Sequence, residues 1–166
     1  NLALSFFEIG VYHPRNGLNI GTLWRSAYQL GAAGIFTIGK PYRHQVSDTS
    51  GAEYNIPLRC YASFEELLAA RPHGAQLVAV ELPAPGLPAQ NAVPLSRFRH
   101  PAQAIYLLGA ESSGLPPAVL AQCNALVYLE AVRRASYNVA VTGSILMYHR
   151  VFLQHLSTGL LESSEV

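Results

Sequence analysis

The sequence has few charged residues, and two kinds of charged residue are almost missing from it. Its 166 residues carry a formal net charge of +1, Lys40 is the only lysine and Asp48 the only aspartate. This balance gives no general basic or acidic surface that would by itself indicate nucleic acid as a partner. Ten arginines suit bidentate contacts with phosphate, but a coding bias would produce the same composition.

Paired cysteines and long apolar runs are also missing. Cys60 and Cys123 are isolated, and no stretch has the pattern of a signal peptide or the length of a membrane span. Half of the residues are apolar, which is enough for a core without disulfide bonds. We therefore expect a soluble, cytoplasmic protein with a single domain over residues 1–156 and a flexible tail over 157–166.

The motifs of several enzyme classes are missing as well. No G-x-G-x-x-G follows the first predicted strand and no G-x-x-x-x-G-K-[ST] occurs, so a nucleotide-dependent oxidoreductase lacks a phosphate-binding loop. A serine hydrolase would need G-x-S-x-G, which is not present. The six histidines show no metal-ligand spacing, and His149 and His155 are expected at the surface. We expect no metal site.

The apolar pattern that is present predicts alternating strands and helices. Six short β-rich runs are the predicted strands: LSFFEIGVY, GIFTIG, PLRCY, QLVAVEL, AIYLLG and ALVYLE. Helices are predicted over residues 20–30, over SFEELLAAR with a Ser63/Glu66 capping box, over PPAVLAQC, and from Tyr137 to about Leu156. The last helix carries small residues that would allow close packing. The fold class is α/β with a mostly parallel sheet, and residues 83–103 are interpreted as a long loop.

Three unusual loops follow predicted strands, where ligands bind in parallel sheets. The first contains Asn19, which can cap the following helix, and Arg25, which lies among apolar residues and would need a partner or a ligand. The second loop has Gly109 and Gly114 on either side of Glu111, a spacing that allows a tight backbone turn. The third loop, AVRRASYN, precedes the last helix.

Together these loops resemble the SpoU (TrmH-like) branch of the SPOUT RNA methyltransferases. The first family motif is N-x-G-x-x-x-R, which Asn19, Gly21 and Arg25 match position for position. The second is G-x-E-x-x-G-[LI], and the third ends in S-x-N at the start of the last helix. Their counterparts here are Gly109, Glu111, Gly114 and Leu115 for the second motif, and Ser136 and Asn138 for the third. The motifs occur in the family's order over nearly the whole chain.

The resemblance implies a SPOUT fold, in which the C-terminal segment passes through a loop to form a deep trefoil knot. It also implies S-adenosylmethionine as methyl donor and a ribose 2′-hydroxyl of tRNA or rRNA as acceptor. Two alternatives stay open: a non-catalytic RNA-binding relative, and an enzyme that methylates a base. The residues implied to be catalytic are Arg25, Asn19, Glu111, Ser136 and Asn138. A guanidinium hardly loses its proton, so we interpret Arg25 as a phosphate clamp and stabiliser of the developing alkoxide.

The resemblance assigns further residues to cofactor and RNA. The cofactor set is Val80, Glu81, Gly109, Gly114, Leu129, Ala131 and Ser136. The basic loops expected to meet RNA contain Arg43, Arg97, Arg99, Arg133 and Arg134, in addition to Arg25. The resemblance also implies a homodimer formed by the first and last helices, with Trp24, Tyr28, Tyr148 and Phe152 as interface candidates.

One triplet departs from the family pattern. An Ile-Pro-Met-like sequence usually precedes the S-x-N motif, and this chain has Leu129, Glu130 and Ala131 instead. A buried Glu130 would need a charged partner, and Arg133 and Arg134 are near in sequence.

Overall fold

A seven-stranded, entirely parallel sheet forms the centre of the molecule. The computed structural model describes residues 5–42, 51–83, 91–110, 113–133 and 136–154. The strands are β1 (Phe6–Tyr12), β2 (Gly34–Ile38), β3 (Leu58–Tyr61), β4 (Gln76–Val80), β5 (Ala92–Pro94), β6 (Gln103–Leu108) and β7 (Ala125–Tyr128). Their spatial order is β3-β2-β1-β6-β4-β7-β5. Every pairing between neighbours is parallel, which confirms the predicted sheet.

Helices cover both faces of this sheet. They are α1 (Gly17–Gln29), α2 (Phe64–Ala70), α3 (Pro117–Leu120) and α4 (Val139–Tyr148), and α4 continues into a π-helical turn over His149–Leu153. Two separate clusters of buried apolar side chains result, one on each face. Ile35 and Ile105 belong to opposite clusters, although both lie in central strands. Burial on both faces explains why the predicted strands are continuous apolar runs.

The first helix begins three residues earlier than the sequence analysis predicted. Asn16, and not Asn19, is its N-cap, and the Asn16 side chain accepts a hydrogen bond from the backbone N–H of Leu18 at 2.9 Å. Asn19 lies within the first turn of α1. Several polar residues close together could each cap a helix, and the sequence alone did not distinguish them. The Asn19 side chain is therefore not a helix cap, and its oxygen bonds Asn138 instead.

The helices α1 and α4 pack closely against each other. A Cβ atom on Gly143 would lie 2.5 Å from Cδ1 of Leu23, so only glycine fits at this contact. Next to it, the Ser144 hydroxyl donates to the Ala140 carbonyl at 2.7 Å and accepts from the Ser26 hydroxyl at 2.9 Å. The small residues predicted to allow close packing in the last helix do so against α1.

Two predicted segments differ in the structure. Residues 83–103 are not one long loop, since β5 and a 3₁₀ turn over Leu95–Arg97 lie within them; residues 84–90 are outside the described part. A three-residue edge strand that ends in proline gives almost no periodic signal. The last regular helix starts at Val139 and not at Tyr137, because Asn138 is its N-cap. The predicted tail over 157–166 lies outside the described residues.

Trp24 is a core residue and not an interface residue as predicted. Only 6% of its surface is exposed, and its indole N–H donates to the backbone carbonyl of Ile56 at 3.1 Å. Tyr28, Tyr148 and Phe152 are exposed. None of the helices in the described part of the chain is long and apolar enough to cross a membrane.

A buried polar cluster fixes the end of α4 to the amino ends of β1 and β6. The guanidinium of Arg150 donates to the carbonyls of Pro101 and Ala102 and to the hydroxyl of Tyr106. The Tyr106 hydroxyl also bonds Nδ1 of His100, whose Nε2 lies 2.9 Å from Nδ1 of His149. His149 was expected at the surface and is instead 7% exposed. Its partner His100 lies 49 residues away in sequence, which no local pattern could indicate.

Candidate functional site

A cavity of about 550 Å³ opens at the carboxyl ends of the three adjacent strands β6, β4 and β7. Its walls come from Val80 and Glu81 after β4, from Leu108 and Gly109 at the end of β6, and from Leu129 after β7. The start of α4 closes the cavity. This is where a parallel sheet is expected to bind ligands, and the volume suits an organic molecule of cofactor size.

The second motif forms a tight turn in the cavity wall. A Cβ atom on Gly109 would lie 2.9 Å from the backbone of Gly114, and Ala110 pairs with Gly114 as an isolated antiparallel bridge. Gly114 has a φ of +63°, and a Cβ there would overlap Glu81. Both glycines are therefore required. Gly109 allows the backbone of Gly114 to approach, and Gly114 leaves room for the Glu81 carboxylate. Glu111, the predicted acid within this turn, lies outside the described residues.

Glu81 supplies the charge of the cavity. Among the lining residues that the structure describes it is the only charged one, and one carboxylate oxygen accepts a hydrogen bond from the Leu115 N–H at 2.5 Å. Burial raises the pKa of Glu81 above its ordinary value, although the bond from Leu115 acts in the opposite direction. The described lining thus combines apolar and uncharged polar side chains with a single carboxylate, a combination that favours a ligand with positive charge.

Asn19 and Asn138, from the first and third motifs, meet at the mouth of the cavity. The Asn138 amide N–H donates to the Asn19 side-chain oxygen at 3.0 Å. The Asn138 oxygen accepts from the backbone N–H groups of Ala140 and Val141 and so caps α4. Ser136 and Asn138 also line the cavity. The structure therefore brings three of the predicted catalytic residues together.

Arg25 lies apart from them. Its side chain is exposed on α1, does not line the cavity and forms no hydrogen bond or ion pair with the other residues that the structure describes. The expectation that this guanidinium would be enclosed among apolar residues is wrong, because α1 turns Leu23, Trp24 and Ala27 inward and Arg25 outward.

A smaller cleft adjoins the cavity and shares Ala110 and Val139 with it. Pro14, Arg15 and Asn19 line its other side. Arg15 is exposed and is the nearest described cation of the first loop to the cavity. Arg15 is not among the predicted site residues, because it precedes the first motif.

Glu130 is not buried, so the charged partner that a buried carboxylate would need is not required. It is exposed, and its carboxylate accepts hydrogen bonds from the N–H of Ser96 at 3.3 Å and from the Ser96 hydroxyl. Partial burial acts to raise the pKa of Glu130, but the bonds from Ser96 outweigh it and lower the pKa below its usual value. Neither Arg133 nor another arginine among the described residues pairs with it. Ala131, a predicted cofactor contact, is exposed and outside the cavity wall.

The predicted RNA-contacting arginines are accessible where they are described. Arg97, Arg99 and Arg133 are all exposed, whereas Arg43 and Arg134 lie outside the described residues. Among the residues that are described, no group of three metal-ligating side chains occurs.

Several lining residues were not predicted from the sequence. They are Leu82, Leu108, Ala110, Ser113, Tyr137, Val139 and Thr142. Most are immediate neighbours of motif residues, so extending each motif by one residue would have found them. Thr142 lies one helical turn beyond Asn138, and the helical repeat was the available signal.

Comparison with known proteins now decides the family. The family model described as the SpoU rRNA Methylase family matches residues 7–148, which is most of the chain. The chain belongs to this family. A comparison with curated proteins gave no match.

Solved structures resemble this SpoU family member over nearly its whole length. AdoMet-bound rRNA methyltransferase from Sinorhizobium meliloti is 26% identical with a TM-score of 0.75, over 91% of this chain and 57% of that one. SpoU methyltransferase AviRb from Streptomyces viridochromogenes, in complex with AdoMet, is 25% identical with a TM-score of 0.73, over 92% and 59%. The chain thus spans less than three fifths of the length of these two proteins.

A third structure matches in length as well. It concerns the 2-OH methylation of C/U34 on tRNA and is 26% identical with a TM-score of 0.72. The match covers 92% of this chain and 98% of that one.

Proposed function

We propose that this SpoU family member is an S-adenosylmethionine-dependent RNA methyltransferase that acts on a ribose 2′-hydroxyl, with tRNA as its substrate. The cavity at the ends of β6, β4 and β7 carries the proposal, since its only described charge is the carboxylate of Glu81. S-adenosylmethionine has a flat aromatic adenine, ribose hydroxyls, a positively charged sulfur, and an ammonium and a carboxylate on its methionine part. The apolar wall residues, the hydroxyls of Ser136 and Thr142 and the Glu81 carboxylate fit these groups.

The bound cofactor would supply a methyl group on a positively charged sulfur, which needs no further activation. The protein must hold the ribose oxygen in line with that group. Asn19 and Asn138 are already joined at the cavity mouth and can orient a hydroxyl without adding charge. Arg25, which is exposed outside the cavity, would hold an RNA phosphate. The proton that leaves the hydroxyl would pass to a base or to a phosphate of the RNA.

RNA would approach across the smaller cleft that borders the cavity. Arg15 lines this cleft, and exposed Arg97, Arg99 and Arg133 offer further phosphate contacts. The choice of tRNA rests on the structure concerned with C/U34 methylation, which matches this chain in length. We expect affinity for RNA to fall steeply with salt, because each neutralised phosphate releases counterions.

A direct test uses two reactions, each with the purified chain and radiolabelled S-adenosylmethionine; one contains tRNA and the other rRNA. The 2′-O-methyl sites in each RNA are then mapped. Methylation of tRNA at a ribose supports the proposal. Cofactor binding by calorimetry without methylation of either RNA would favour a non-catalytic RNA-binding relative, and a methylated base would overturn the ribose assignment.

We also propose a homodimer built on the outer faces of α1 and α4. Exposed apolar side chains lie there: Leu18, Tyr28, Val141, Ile145, Tyr148 and Phe152. Such a surface is costly to leave in water. Sedimentation at micromolar concentration should give a dimer that Ile145→Glu dissociates. Val132→Glu is the matched control, since Val132 is a fully exposed apolar residue that lies after β7 and on neither helix.

A trefoil knot is part of the same proposal. Chain order supports it, because β7 inserts between β4 and β5 after β6 has already paired on the opposite side of β4. A crystal structure in which residues 105–150 pass through no loop would contradict the knot.

A further inference from the structure

Glu130 occupies the point where this chain departs from the usual triplet of its family. It follows Leu129, which is buried in the cavity wall, yet its own side chain points away from the cavity to Ser96. Its carboxylate accepts from both the N–H and the hydroxyl of Ser96. Hydrogen bonds to a carboxylate are about twice as strong as those between neutral groups.

The backbone of Glu130 is held as well. The Tyr137 hydroxyl donates to the Glu130 carbonyl at 2.8 Å, and Tyr137 itself lines the cavity. Glu130 is thus fixed at two points, by its side chain and by its carbonyl. The residues that these bonds position, Leu129 and Tyr137, are both part of the wall that would enclose the ligand.

Ser96 is a firm attachment point for this carboxylate. It lies in the 3₁₀ turn Leu95–Arg97, which closes with a hydrogen bond from Phe98 N–H to the Leu95 carbonyl at 3.1 Å. Leu95 and Phe98 are both 5% exposed and belong to the core on the side of α1 and α4. The wall after β7 is therefore tied, through Ser96, to the packed interior.

We propose that Ser96, Glu130 and Tyr137 form a clasp that positions the cofactor-binding wall. The clasp holds Leu129 and Tyr137 against the ligand, and it does so with a carboxylate where the family has a proline. This inference rests on the proposed function for the identity of the ligand. Glu130 and Ser96 are positioning residues, because neither lines the cavity.

Calorimetric titration of the full chain with S-adenosylmethionine tests the clasp. We expect Ser96→Ala and Glu130→Ala each to raise Kd about tenfold, and Tyr137→Phe, which keeps the ring but loses the hydroxyl, to raise it about fivefold. Glu130→Gln should stay within about threefold of wild type, because the amide oxygen still accepts from Ser96. Glu65→Ala removes an exposed carboxylate on α2 and is the matched control.

Thermal melting distinguishes an effect on the cofactor-binding wall from an effect on the stability of the whole fold. Glu130 and Ser96 are exposed, so Tm should change by less than about 2 °C while Kd rises. An unchanged Kd in both alanine variants would overturn the proposal, and so would a failure of Glu130→Gln to restore binding.

A second measurement keeps this inference distinct from the proposed function. Hydrogen exchange in the ligand-free protein should quicken at the Ser96 amide and around Leu129 in Glu130→Ala, whatever the natural ligand is. If exchange is faster in Glu130→Ala but the wild-type chain binds no S-adenosylmethionine, the clasp is supported and the proposed function is overturned. Unchanged exchange would overturn the clasp.

Discussion

At the scale of single residues, Arg25 and Glu81 differ in charge, in exposure and in the ligand that each is proposed to bind. Arg25 is exposed on α1 and forms no hydrogen bond or ion pair with the residues that the structure describes, whereas Glu81 is half-buried in the cavity and hydrogen-bonded to Leu115. An exposed cation without a structural partner is available to bind RNA. A partly buried carboxylate beside apolar walls is suited to a cationic ligand.

Replacing Arg25 with alanine should abolish most methyl transfer and leave the fold and cofactor affinity unchanged. The side chain neither packs into the core nor lines the cavity, so its loss removes only a contact to RNA. Arg25→Lys should also fail, because an ammonium cannot reproduce a planar two-point contact with phosphate. Initial rates, a cofactor titration and a thermal melt on each variant make the test. Lost cofactor binding together with a lower Tm would contradict the catalytic assignment.

Glu81→Gln should weaken binding of S-adenosylmethionine roughly tenfold, which corresponds to about 1.4 kcal/mol. The amide oxygen can still accept from Leu115, so the turn around Gly114 keeps its position and only the charge is lost. S-adenosylhomocysteine, which lacks the sulfonium charge, should lose less affinity. Titration of both ligands checks this. An equal loss for both would contradict a contact between Glu81 and the sulfonium.

At the scale of secondary-structure elements, the α1–α4 contact connects the fold to the site. Asn138 caps α4 and bonds Asn19 of α1, and Ser144 bonds Ser26 further along the same pair of helices. The contact that packs the helices therefore also sets the distance between two predicted catalytic side chains. A change in helix spacing should affect the site.

Gly143→Ala tests this connection. The added methyl group would lie 2.5 Å from Leu23 Cδ1, so the buried Leu23 side chain must move and disturb the packing of α1 on α4, at a cost of about 1–3 kcal/mol. Tm should fall by several degrees, and the methylation rate should fall because Asn19 and Asn138 are moved apart. Gly17→Ala is the control, since its nearest neighbour, a ring atom of Tyr42, is at 3.4 Å. Equal effects of the two substitutions would contradict a special role for Gly143.

The elements were largely predictable from the sequence, while several of their ends and contacts were not. Six strands were predicted from short β-rich runs; burial on both faces makes β2 and β6 continuous apolar runs, whereas the edge strand β3 has two exposed residues. β5 was missed because its three residues are too few for a pattern. The glycines of the second motif indicated a tight turn correctly, since few other residues allow such a close backbone approach. The Glu130–Ser96 contact was not predictable, because it joins residues 34 positions apart.

At the scale of the whole molecule, polar contacts hold both ends of the sheet. The cavity lies at the carboxyl edge, and the cluster around Arg150 lies where β1 and β6 begin. Arg150 also stacks over the rings of Phe7 and Tyr106, at 5.0 and 5.9 Å. The π-helical turn that carries Arg150 is therefore fixed to the sheet, and its stability depends on the uncharged state of the neighbouring histidines.

Acid should destabilise the protein through His100. Burial, followed by the charges of the nearby His149 and Arg150, lowers the pKa of His100 from 6.5 to about 3. His149 is shifted downward too, chiefly by burial, although Glu130 opposes that shift. Below pH 6.5 the unfolded chain binds protons that the folded chain does not, so stability falls as the pH decreases from 6.5 towards 3.

Between pH 7 and pH 5.5 this loss amounts to about 1.4 kcal/mol for His100, or a Tm lower by roughly 3–5 °C. The measurement is the difference in Tm between the two pH values within each variant, so that any general effect of a substitution cancels. His100→Gln should remove most of the difference because glutamine does not titrate. His73→Gln should retain it, since His73 is exposed after the end of α2 and is not a member of this cluster. If wild-type Tm is the same at both pH values, His100 is not held neutral by the fold, and the cluster around Arg150 contributes no pH dependence.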